Sequence, residues 1–265
     1  MSAQRILFVN QEITPYSEVS YMSIIGRYLP QSIQEKGLDI RTFMPRYGMI
    51  NERRNQLHEV IRLSGQNIII NKNDHVLVIK VASIQSIRMQ TYFIDNEDYF
   101  RRKTLMYDKG GKFFPDNDER AIFYARGVIE TVKNLGWSPD IIHCHGWISN
   151  LVPLFIKKIY IDNPLFANAK VIYSIYDDSF SKIFRSFSRK LKLSGIPAKD
   201  ASLYKNATFE STTKLAVDYA DAVVISHKDV SEDVRLHIEN SQKQYFEHKE
   251  EQYAEDYISL YNNIS

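Results

Sequence analysis

Short apolar runs alternate with helix-like segments along most of this chain, and that order restricts the fold more than any other feature. The runs are rich in β-branched and aromatic residues and end at Asn, Asp, Pro or Gly; they cover residues 5–9, 40–44, 68–70, 76–81, 91–94, 140–143, 170–175 and 222–225. Between them, residues 21–35 and 119–134 carry apolar side chains at helical spacing. Alternating strands and helices predict an α/β domain whose doubly wound, mostly parallel sheet has six or seven strands.

Two internal stretches interrupt this order. Residues 50–115 hold closely spaced strands, and residues 71–74 (NKND) have the composition of a hairpin turn, so we expect a β-rich insertion within the same domain. Residues 178–207 are rich in Ser, Lys and Arg and contain Pro197. This composition predicts a long loop or lid with one short helix.

The C-terminal segment 241–262 contains no Gly or Pro and has the pattern of an amphipathic helix. Its apolar stripe consists of Phe246, Tyr253, Tyr257, Leu260, Tyr261 and Ile264. The stripe must pack either on the domain itself or on a partner, so self-association or a protein partner through 241–265 stays open. We therefore divide the chain into a domain at 1–240 and a helical extension at 241–265.

Bulk composition excludes several classes of function. A net charge of +2 without a strongly basic run gives no electrostatic footprint for nucleic acid or an anionic membrane. No apolar run approaches the ~18–20 residues that span a bilayer, and residues 1–30 have no secretory-signal pattern, so we expect a cytoplasmic protein. The single cysteine, Cys144, excludes an internal disulfide and a four-thiolate zinc site.

Phosphate-binding features are also scarce. The chain has ten glycines in 265 residues, about half the usual ~7%, and neither GxGxxG nor GxxxxGK[ST] can be written from them, so no cofactor is expected. The loop at residues 10–20 holds Glu12, Glu18, several hydroxyls including that of Tyr16, and no cation, which makes it a poor phosphate site. Glu12 could accept hydrogen bonds from sugar hydroxyls, or both carboxylates could simply stabilise the following helix N-terminus.

The most suggestive segment for binding is residues 138–147 (SPDIIHCHGW), at the end of a predicted strand. Ligands of an open parallel sheet bind beyond the carboxyl ends of the strands, and strand alternation puts His143 and His145 on the same side there. Two histidines without a third acidic or sulfur ligand are a weak metal signal, so no metal is expected. We favour a histidine that orients a hydroxylated substrate, with Trp147 as an apolar wall for a sugar ring; structural histidines are the alternative. Cys144 faces the opposite side, into the core.

Two further segments carry candidate binding residues. Asp116, Asn117 and Arg120 lie at the start of the second predicted helix, where the helix dipole alone favours acidic side chains. Arg120 opposes that dipole and is expected either to pair with Asp116 or to reach into the cleft. Asp177 follows the strand at 170–175 and either accepts hydrogen bonds from a hydroxylated ligand or is an ordinary solvated loop residue.

Together these segments resemble the N-terminal domain of bacterial glycogen synthases and plant starch synthases. The resemblance covers about residues 4–235, in the order and spacing of that family. It is carried by Ile6-Leu7-Phe8-Val9, Glu12, Pro15, Ile25-Gly26, Leu29-Pro30, Gly37, Met44-Pro45-Arg46-Tyr47, Phe93-Ile94-Asp95, Tyr99-Phe100, Asp116-Asn117, Glu119-Arg120, Pro139-Asp140-Ile141-Ile142-His143, His145, Trp147, Lys214 and Tyr219-Ala220-Asp221.

The resemblance implies one Rossmann-like half of a GT-B glycosyltransferase. In that family the N-terminal domain holds the acceptor glucan, and the C-terminal domain binds most of the ADP- or UDP-glucose donor. The donor-binding half is not expected within these 265 residues. The resemblance implies that His145 is the retained catalytic residue, in contact with the transferred glucose. Further substrate contacts are implied for Glu12, Tyr16, Asp95, Asp116, Asn117, Arg120, His143, Trp147, Asp177 and Lys214.

Three departures from the family pattern fall in these segments. Ser17-Glu18-Val19-Ser20 stands where the family has Lys-Thr/Val-Gly-Gly, whose glycines let the backbone approach the donor's phosphates and whose lysine offsets their charge. His145-Gly146-Trp147-Ile148 replaces His-Asp-Trp-His, and Tyr176-Asp177 replaces a His-Asn pair. Because stabilisation of the leaving diphosphate is a large part of glycosyl transfer, we expect weak or absent independent catalysis.

The leading hypothesis is a glycogen synthase-like N-terminal domain, weak or inactive as a transferase alone, that keeps a cleft for a glucan, an oligosaccharide or a protein partner. One alternative is an active glucosyltransferase completed in trans by a donor-binding subunit or a second copy. Another is a non-catalytic scaffold in glycogen metabolism that binds no sugar. None of these hypotheses involves nucleic acid, a membrane, a metal or a cofactor.

Overall fold

The first strand of the chain lies in the middle of a large sheet. The computed structural model describes residues 3–85, 87–249 and 253–264. The strands in these ranges are β1 (Arg5–Asn10), β2 (Asp39–Pro45), β3 (His58–Glu59), β4 (Gln66–Ile70), β5 (Asn73–Ile84), β6 (Met89–Asp95), β7 (Ile141–His145), β8 (Lys170–Ile175), β9 (Phe184–Arg185), β10 (Asn206–Ala207), β11 (Ala222–Ile225) and β12 (Gln244–Glu247).

The order of these strands places a switch point beside β1. Across the sheet the order is β12–β11–β8–β7–β1–β2–β6–β5–β3, and β4 pairs with β5. The neighbours from β12 to β6 are all parallel. The chain first builds outward from β1 through β2, then returns to β7 on the other side of β1 and builds outward through β8. Ligands of open α/β sheets bind at such a reversal, here between β1 and β7.

Helices cover both faces of the parallel region. They are α1 (Tyr21–Glu35), α2 (Glu97–Phe100), α3 (Asn117–Leu135), α4 (Val152–Lys158), α5 (Phe187–Leu193), α6 (Ala198–Ala201), α7 (Phe209–Tyr219), α8 (Glu232–Asn240) and α9 (Tyr253–Ile264), with 3-10 turns at Ile61–Leu63, Trp147–Ser149 and Ser202–Tyr204. α1 packs with α9, while α3, α4, α7 and α8 pack in succession. All five residues of β7 are buried, as expected for a strand covered on both faces. The predicted doubly wound α/β fold is confirmed.

The β-rich insertion and its hairpin turn are also confirmed. β4 and β5 pair antiparallel from Gln66 opposite Leu77 to Ile70 opposite Asn73. The two residues between them, Asn71 and Lys72, have φ angles of 49° and 76°, the left-handed values that a tight two-residue hairpin turn requires. β5 then pairs with β6, so the hairpin extends the edge of the same sheet.

Residues 178–207 hold more regular structure than the predicted loop with one short helix. They contain β9 and β10, which pair antiparallel, and α5 and α6, which lie between these two strands in the chain. The composition suggested a loop because Ser, Lys and Arg dominate it. The buried residues Phe184, Phe187 and Leu191 nevertheless give the segment its own apolar contacts, and these hold it against the domain.

The prediction of one helix over 241–262 is wrong in its first part. Gln244–Glu247 forms β12, which pairs parallel with β11 at the sheet edge and includes Phe246. Tyr245 and Phe246 suit an edge strand, and strand pairing with β11 overrides the helical spacing of the apolar residues. Residues 250–252 lie outside the described ranges. α9 follows, and its Tyr257, Leu260 and Tyr261 are buried within this chain. Among the helices of the described residues, none combines the length and hydropathy that crossing a bilayer requires.

Candidate functional site

The carboxyl ends of β1 and β7 meet at the switch point of the sheet. Asn10, the last residue of β1, is paired in register with His145, the last residue of β7, and Ser174 of β8 lies opposite His145 on the other side. The loops that follow these strands carry Glu12, Trp147 and Asp178. The loop with Glu12 and the segment with His145 and Trp147, which the sequence analysis placed after two separate strands, therefore follow strands that are neighbours in the sheet.

His143 and His145 point to the same side of β7, and their ring centroids are 4.0 Å apart. His143 is wholly buried: its Nδ1 lies 2.8 Å from the hydroxyl of Tyr261 in α9, and its Nε2 lies 2.8 Å from the hydroxyl of Ser174. Burial holds the pKa of His143 well below its ordinary value. The neutral imidazole of His143 thus links Tyr261 of α9 to Ser174 of β8, and its role in this structure is to hold α9 against the sheet.

His145 is enclosed as well. It is 1% exposed, and its Nδ1 lies 2.8 Å from the hydroxyl of Tyr176, just beyond β8. Its Nε2 has no hydrogen-bond partner in the part of the chain that the structure describes. Burial lowers the pKa of His145 to about 3, and the nearby His248 adds to this effect. The ring is therefore neutral at physiological pH and covered by its own chain.

Gly146 explains how the loop after β7 fits against the loop after β1. Its φ is 83°, and a Cβ at this position would lie 2.8 Å from Oε1 of Gln11. That same oxygen accepts a hydrogen bond from the backbone N–H of Ile148 at 3.3 Å, and the backbone N–H of Gln11 donates to the carbonyl of His145 at 3.1 Å. A larger residue after His145 would break this close approach.

Asp178 is a buried acidic residue of this region that the sequence prediction did not select. Its Oδ2 accepts a hydrogen bond from the backbone N–H of Trp147 at 2.6 Å. Burial raises its pKa to about 7, and the charge of Glu12 adds to the rise. The sequence signal is its position just after β8, in the same segment as the predicted residue Asp177.

Trp147 lies inside an aromatic cluster. It is 1% exposed, and its ring packs against Phe180 in an edge-on contact with centroids 5.5 Å apart. Phe184 lies 6.3 Å away on the same side. The expected apolar wall for a sugar ring is thus covered by residues of the 178–207 segment.

Glu12 and Tyr16 hold the loop after β1 in place. Oε2 of Glu12 accepts a hydrogen bond from the Ser20 hydroxyl at 2.7 Å. Ser20 and Ser23 form a reciprocal capping box at the start of α1, so their hydroxyls and backbone N–H groups bind each other. Tyr16 packs edge-on against Phe93 with centroids 4.9 Å apart, and burial raises the pKa of its hydroxyl to about 12.

Asp95 belongs to a separate charged cluster. Its Oδ2 lies 3.3 Å from Nε of Arg46 and 3.1 Å from Nζ of Lys80. Glu52 binds the same two cations. The cluster joins the end of β2 to β5 and β6. The carboxylate of Asp95, which the resemblance assigns to substrate binding, is thus already paired with two cations.

Asp116, Asn117 and Arg120 form a third group at the start of α3. Both oxygens of Asp116 bind the guanidinium of Arg102, at 2.6 and 2.7 Å. The Arg120 side chain is fully buried and donates to the carbonyl of Tyr99 at 2.8 Å and to Oδ1 of Asn117 at 2.6 Å. Burial lowers the pKa of Arg120 to about 10. Arg102, rather than Arg120, is thus the ion-pair partner of Asp116, and Arg120 fixes the backbone before α3.

The last two predicted residues lie apart from the histidines. Asp177 is exposed, and its Oδ2 is 3.8 Å from Nε2 of His227. Lys214 lies on α7 and pairs with Asp233 of α8. Glu12, His143, His145 and Trp147 therefore lie at or after the ends of the neighbouring strands β1 and β7. Asp177 lies beside His227, and Lys214 pairs α7 with α8.

An open cavity of about 480 Å³ lies beyond the carboxyl ends of β11 and β12, next to the first residue of α1. We call it the β11 cavity; it is lined by Tyr21, Ile225, Ser226, His227, Lys228, Arg235, Glu247 and His248. Arg235 donates to Oε1 of Glu247 at 2.8 Å, and Tyr21 offers a partly exposed ring. In the described ranges, no group of three or more His, Cys, Asp and Glu is placed to hold a metal ion. An aromatic ring beside donors and acceptors of both charges suits a hydroxylated ligand.

Comparison with known proteins agrees with this architecture. Residues 5–255 match the family model described as the starch synthase catalytic domain. The chain is 38% identical over 174 residues to a glycogen synthase of Chlorobium limicola, covering 65% of this chain and 36% of that protein. It is 33% identical over 236 residues to a glycogen synthase of Chlorobium phaeobacteroides, covering 88% of this chain and 47% of that protein. The chain spans less than half the length of these two relatives.

A solved structure shares the fold. The catalytic domain of starch synthase IV from Arabidopsis thaliana, bound to ADP and acarbose, superposes with a TM-score of 0.75 at 16% sequence identity, covering 93% of this chain and 51% of that one. The fold is thus that of one half of a GT-B starch synthase. On the family match and the relatives together, the chain belongs to the starch synthase catalytic domain family.

Proposed function

We propose that this chain binds a glucan and that, by itself, it transfers glucose weakly or not at all. The observation that carries the second part is the capped start of α1. In the family that this chain resembles, a Lys-x-Gly-Gly stretch faces the donor's phosphates at the start of this helix. Here the reciprocal hydrogen bonds of Ser20 and Ser23, at 2.8 and 3.0 Å, occupy donors that a phosphate would use at a helix N-terminus.

Charge in the same loop also opposes a nucleotide diphosphate. Glu12 accepts a hydrogen bond from the Ser20 hydroxyl. Glu18 lies two residues before Ser20 in the same loop. Two like charges 4 Å apart repel by about 1 kcal/mol even in bulk water and by more near a protein surface. The donor's leaving group would therefore meet carboxylates where the family offers a lysine.

The covered histidine supports the same proposal. A ligand can reach Nδ1 of His145 only by displacing the Tyr176 hydroxyl, and Trp147 lies behind Phe180. A side chain that acts on the transferred sugar must come within hydrogen-bond reach of it, about 2.6–3.2 Å between heavy atoms. His145 and Trp147 instead contribute to the interior of this domain.

Glucan binding is proposed for the β11 cavity. Its size fits several sugar atoms and hydroxyls, and Tyr21 supplies a ring beside His227 and Glu247. Oligosaccharides bind proteins through such aromatic faces combined with polar groups. Asp177, which lies near His227, adds an acceptor at the rim.

Calorimetric titration with maltohexaose tests this part. We expect binding in the range of micromolar to millimolar Kd, weakened at least about tenfold by Tyr21→Ala. Tyr28→Ala is the matched control, because Tyr28 lies two turns further along α1 with a similar exposure, 41% against 38% for Tyr21. If millimolar maltohexaose gives no heat of binding, the proposal of glucan binding is contradicted and the scaffold hypothesis remains.

One observation favours a second candidate, transfer completed in trans. Val19, Ile24 and Tyr28 are 77%, 37% and 41% exposed and give α1 and its preceding loop an apolar outer surface. Tyr257, Leu260 and Tyr261 of α9 are buried within this chain, so a partner at 241–265 would have to contact the exposed face of the helix. If a second copy covers the α1 surface, light scattering gives a mass above that of one chain and Ile24→Asp returns it to one chain. A single-chain mass for the unmodified protein speaks against self-association.

A further inference from the structure

A second open cavity lies on another side of the domain, between the loop before α3 and the segment leading into β9. Its volume is about 590 Å³, and we call it the β9 cavity. It is lined by Gly111, Lys112, Phe113, Pro115, Ser181, Lys182, Ile183 and Arg185, none of which lines the β11 cavity. Small-molecule sites have volumes of roughly 300–1,000 Å³.

The charge of this cavity has one sign. Lys112, Lys182 and Arg185 are exposed around it, and no Asp or Glu is among the described residues that line it. The acidic residues of the same loop are engaged elsewhere. Asp108 accepts from the backbone N–H groups of Gly110 and Lys112 at 2.8 and 2.9 Å.

Asp116, the other acid of that loop, is bound on both oxygens by Arg102. Asp178, three residues before Ser181, is buried and accepts a hydrogen bond from the backbone N–H of Trp147. Among the described residues that line the β9 cavity, the charged side chains are thus three cations, and charges of one sign in a cavity attract a multiply charged anion.

The floor of the cavity is apolar and well supported. Phe113 lies 5.1 Å from Phe180, and Phe180 lies 4.9 Å from Phe184, measured between ring centroids. Ile183 is 54% exposed at the rim. The pairing of Arg185 with Asn206 across β9 and β10 fixes the backbone of the arginine. The β9 cavity thus has a well-packed apolar surface next to three positively charged side chains.

We propose that the β9 cavity binds a phosphorylated sugar. The phosphate would be held by Lys112, Lys182 and Arg185, because a guanidinium matches phosphate oxygens in a bidentate geometry and the lysines supply further charge. The apolar face of the sugar ring would rest on Ile183 and the edge of Phe113. The sugar part of this inference rests on the proposed function, whereas the anionic part rests on the charge of the cavity alone.

Calorimetry with glucose 1-phosphate, glucose and inorganic phosphate tests the inference. We expect glucose 1-phosphate to bind at least about tenfold more tightly than either glucose or inorganic phosphate. The double substitution Lys182→Gln with Arg185→Gln should weaken it at least about tenfold, and Lys112→Gln on the facing loop should weaken it as well. Arg62→Gln is the control, because Arg62 is an exposed cation outside the cavity.

Equal affinity for inorganic phosphate and glucose 1-phosphate would overturn the proposal, since the sugar would then add nothing. So would undetectable binding at millimolar glucose 1-phosphate, or binding unchanged by all three substitutions. Maltohexaose binding at the β11 cavity should be unaffected by the Lys182 and Arg185 substitutions. Loss of one ligand with retention of the other therefore distinguishes failure of this inference from failure of the proposed function.

Discussion

The Nδ1 atom of His145 lies 2.8 Å from the hydroxyl of Tyr176, and this contact joins the ends of β7 and β8 inside the domain. Tyr176 stands where the resemblance places a histidine of the family's His-Asn pair. The retained histidine is thus held by a residue in which this chain departs from the family.

Replacing Tyr176 by phenylalanine should therefore destabilise the domain. The change leaves a buried ring nitrogen without its partner, which costs about 1–3 kcal/mol. Urea unfolding measures the loss in the free energy of unfolding. Tyr28→Phe, at an exposed site, should change it by less than about 0.5 kcal/mol, and an equal effect of the two substitutions would mean that the His145 contact contributes nothing.

The buried carboxyl of Asp178 predicts a dependence of stability on pH. Burial raises its pKa from 3.8 to about 7, so the folded protein keeps the proton that the unfolded chain releases. This group therefore lowers stability as pH rises from about 4 to about 7, and its effect is constant above that window.

Asp178→Asn removes the ionisation and keeps an acceptor for the Trp147 N–H. The gain in unfolding free energy relative to the unmodified protein should increase between about pH 4 and about pH 7, by up to a few kcal/mol at about 1.4 kcal/mol per pKa unit. Urea unfolding at these two pH values measures it. Exposed Asp177→Asn is the control; a gain that does not grow with pH would show that Asp178 is ionised in the folded protein.

Lys190 should hold α5 against the start of α3. Its Nζ lies 2.6 Å from Oδ2 of Asp118 and 3.0 Å from Oε1 of Glu119. Lys190→Met leaves the buried Asp118 without its cation, which should cost about 2–3 kcal/mol, less than the ~3–5 of a fully buried pair because the lysine is partly exposed. Hydrogen exchange should rise across Phe187–Leu193. Lys192→Met, on an exposed position of α5, should leave exchange unchanged; equal exchange in the two variants would show that the ion pair does not hold the helix.

The contact of α9 with the sheet predicts that this helix unfolds together with the domain. Leu260 is buried, so Leu260→Ala should lower the free energy of unfolding by about 2–5 kcal/mol in a single transition. Asn262→Ala, at an exposed position of the same helix, should lower it by less than about 1 kcal/mol. A separate early transition for α9, or a loss no larger than that of the control, would show that α9 is an independent extension.

The fold was predictable from sequence where one periodicity dominates. The run that became β1 is apolar on both faces, and the helical spacing in 21–35 matched α1. Burial on both sides of a parallel sheet leaves little choice of structure for such a run. The first part of 241–262 was not predictable in the same way. Phe246 fits a helical stripe equally well, and only the free edge of β11 decides for a strand.

The shared orientation of the two histidines was predictable from sequence, but their accessibility was not. Alternation correctly put His143 and His145 on one side of β7. Whether a ligand can reach them depends on Tyr261 and Tyr176, which arrive from distant parts of the chain, and on Phe180 from a segment whose composition suggested a loop. Local patterns carry no information about such long-range coverage.

A glucosyl-transfer assay tests the proposal that this chain, which has the family's fold, transfers glucose weakly or not at all by itself. The purified chain is incubated with labelled ADP-glucose and glycogen, beside a glycogen synthase as positive control and a blank without protein. We expect the label in glycogen to equal the blank or to stay far below that of the positive control. Transfer comparable with the positive control, and proportional to the concentration of the chain, would contradict the proposal.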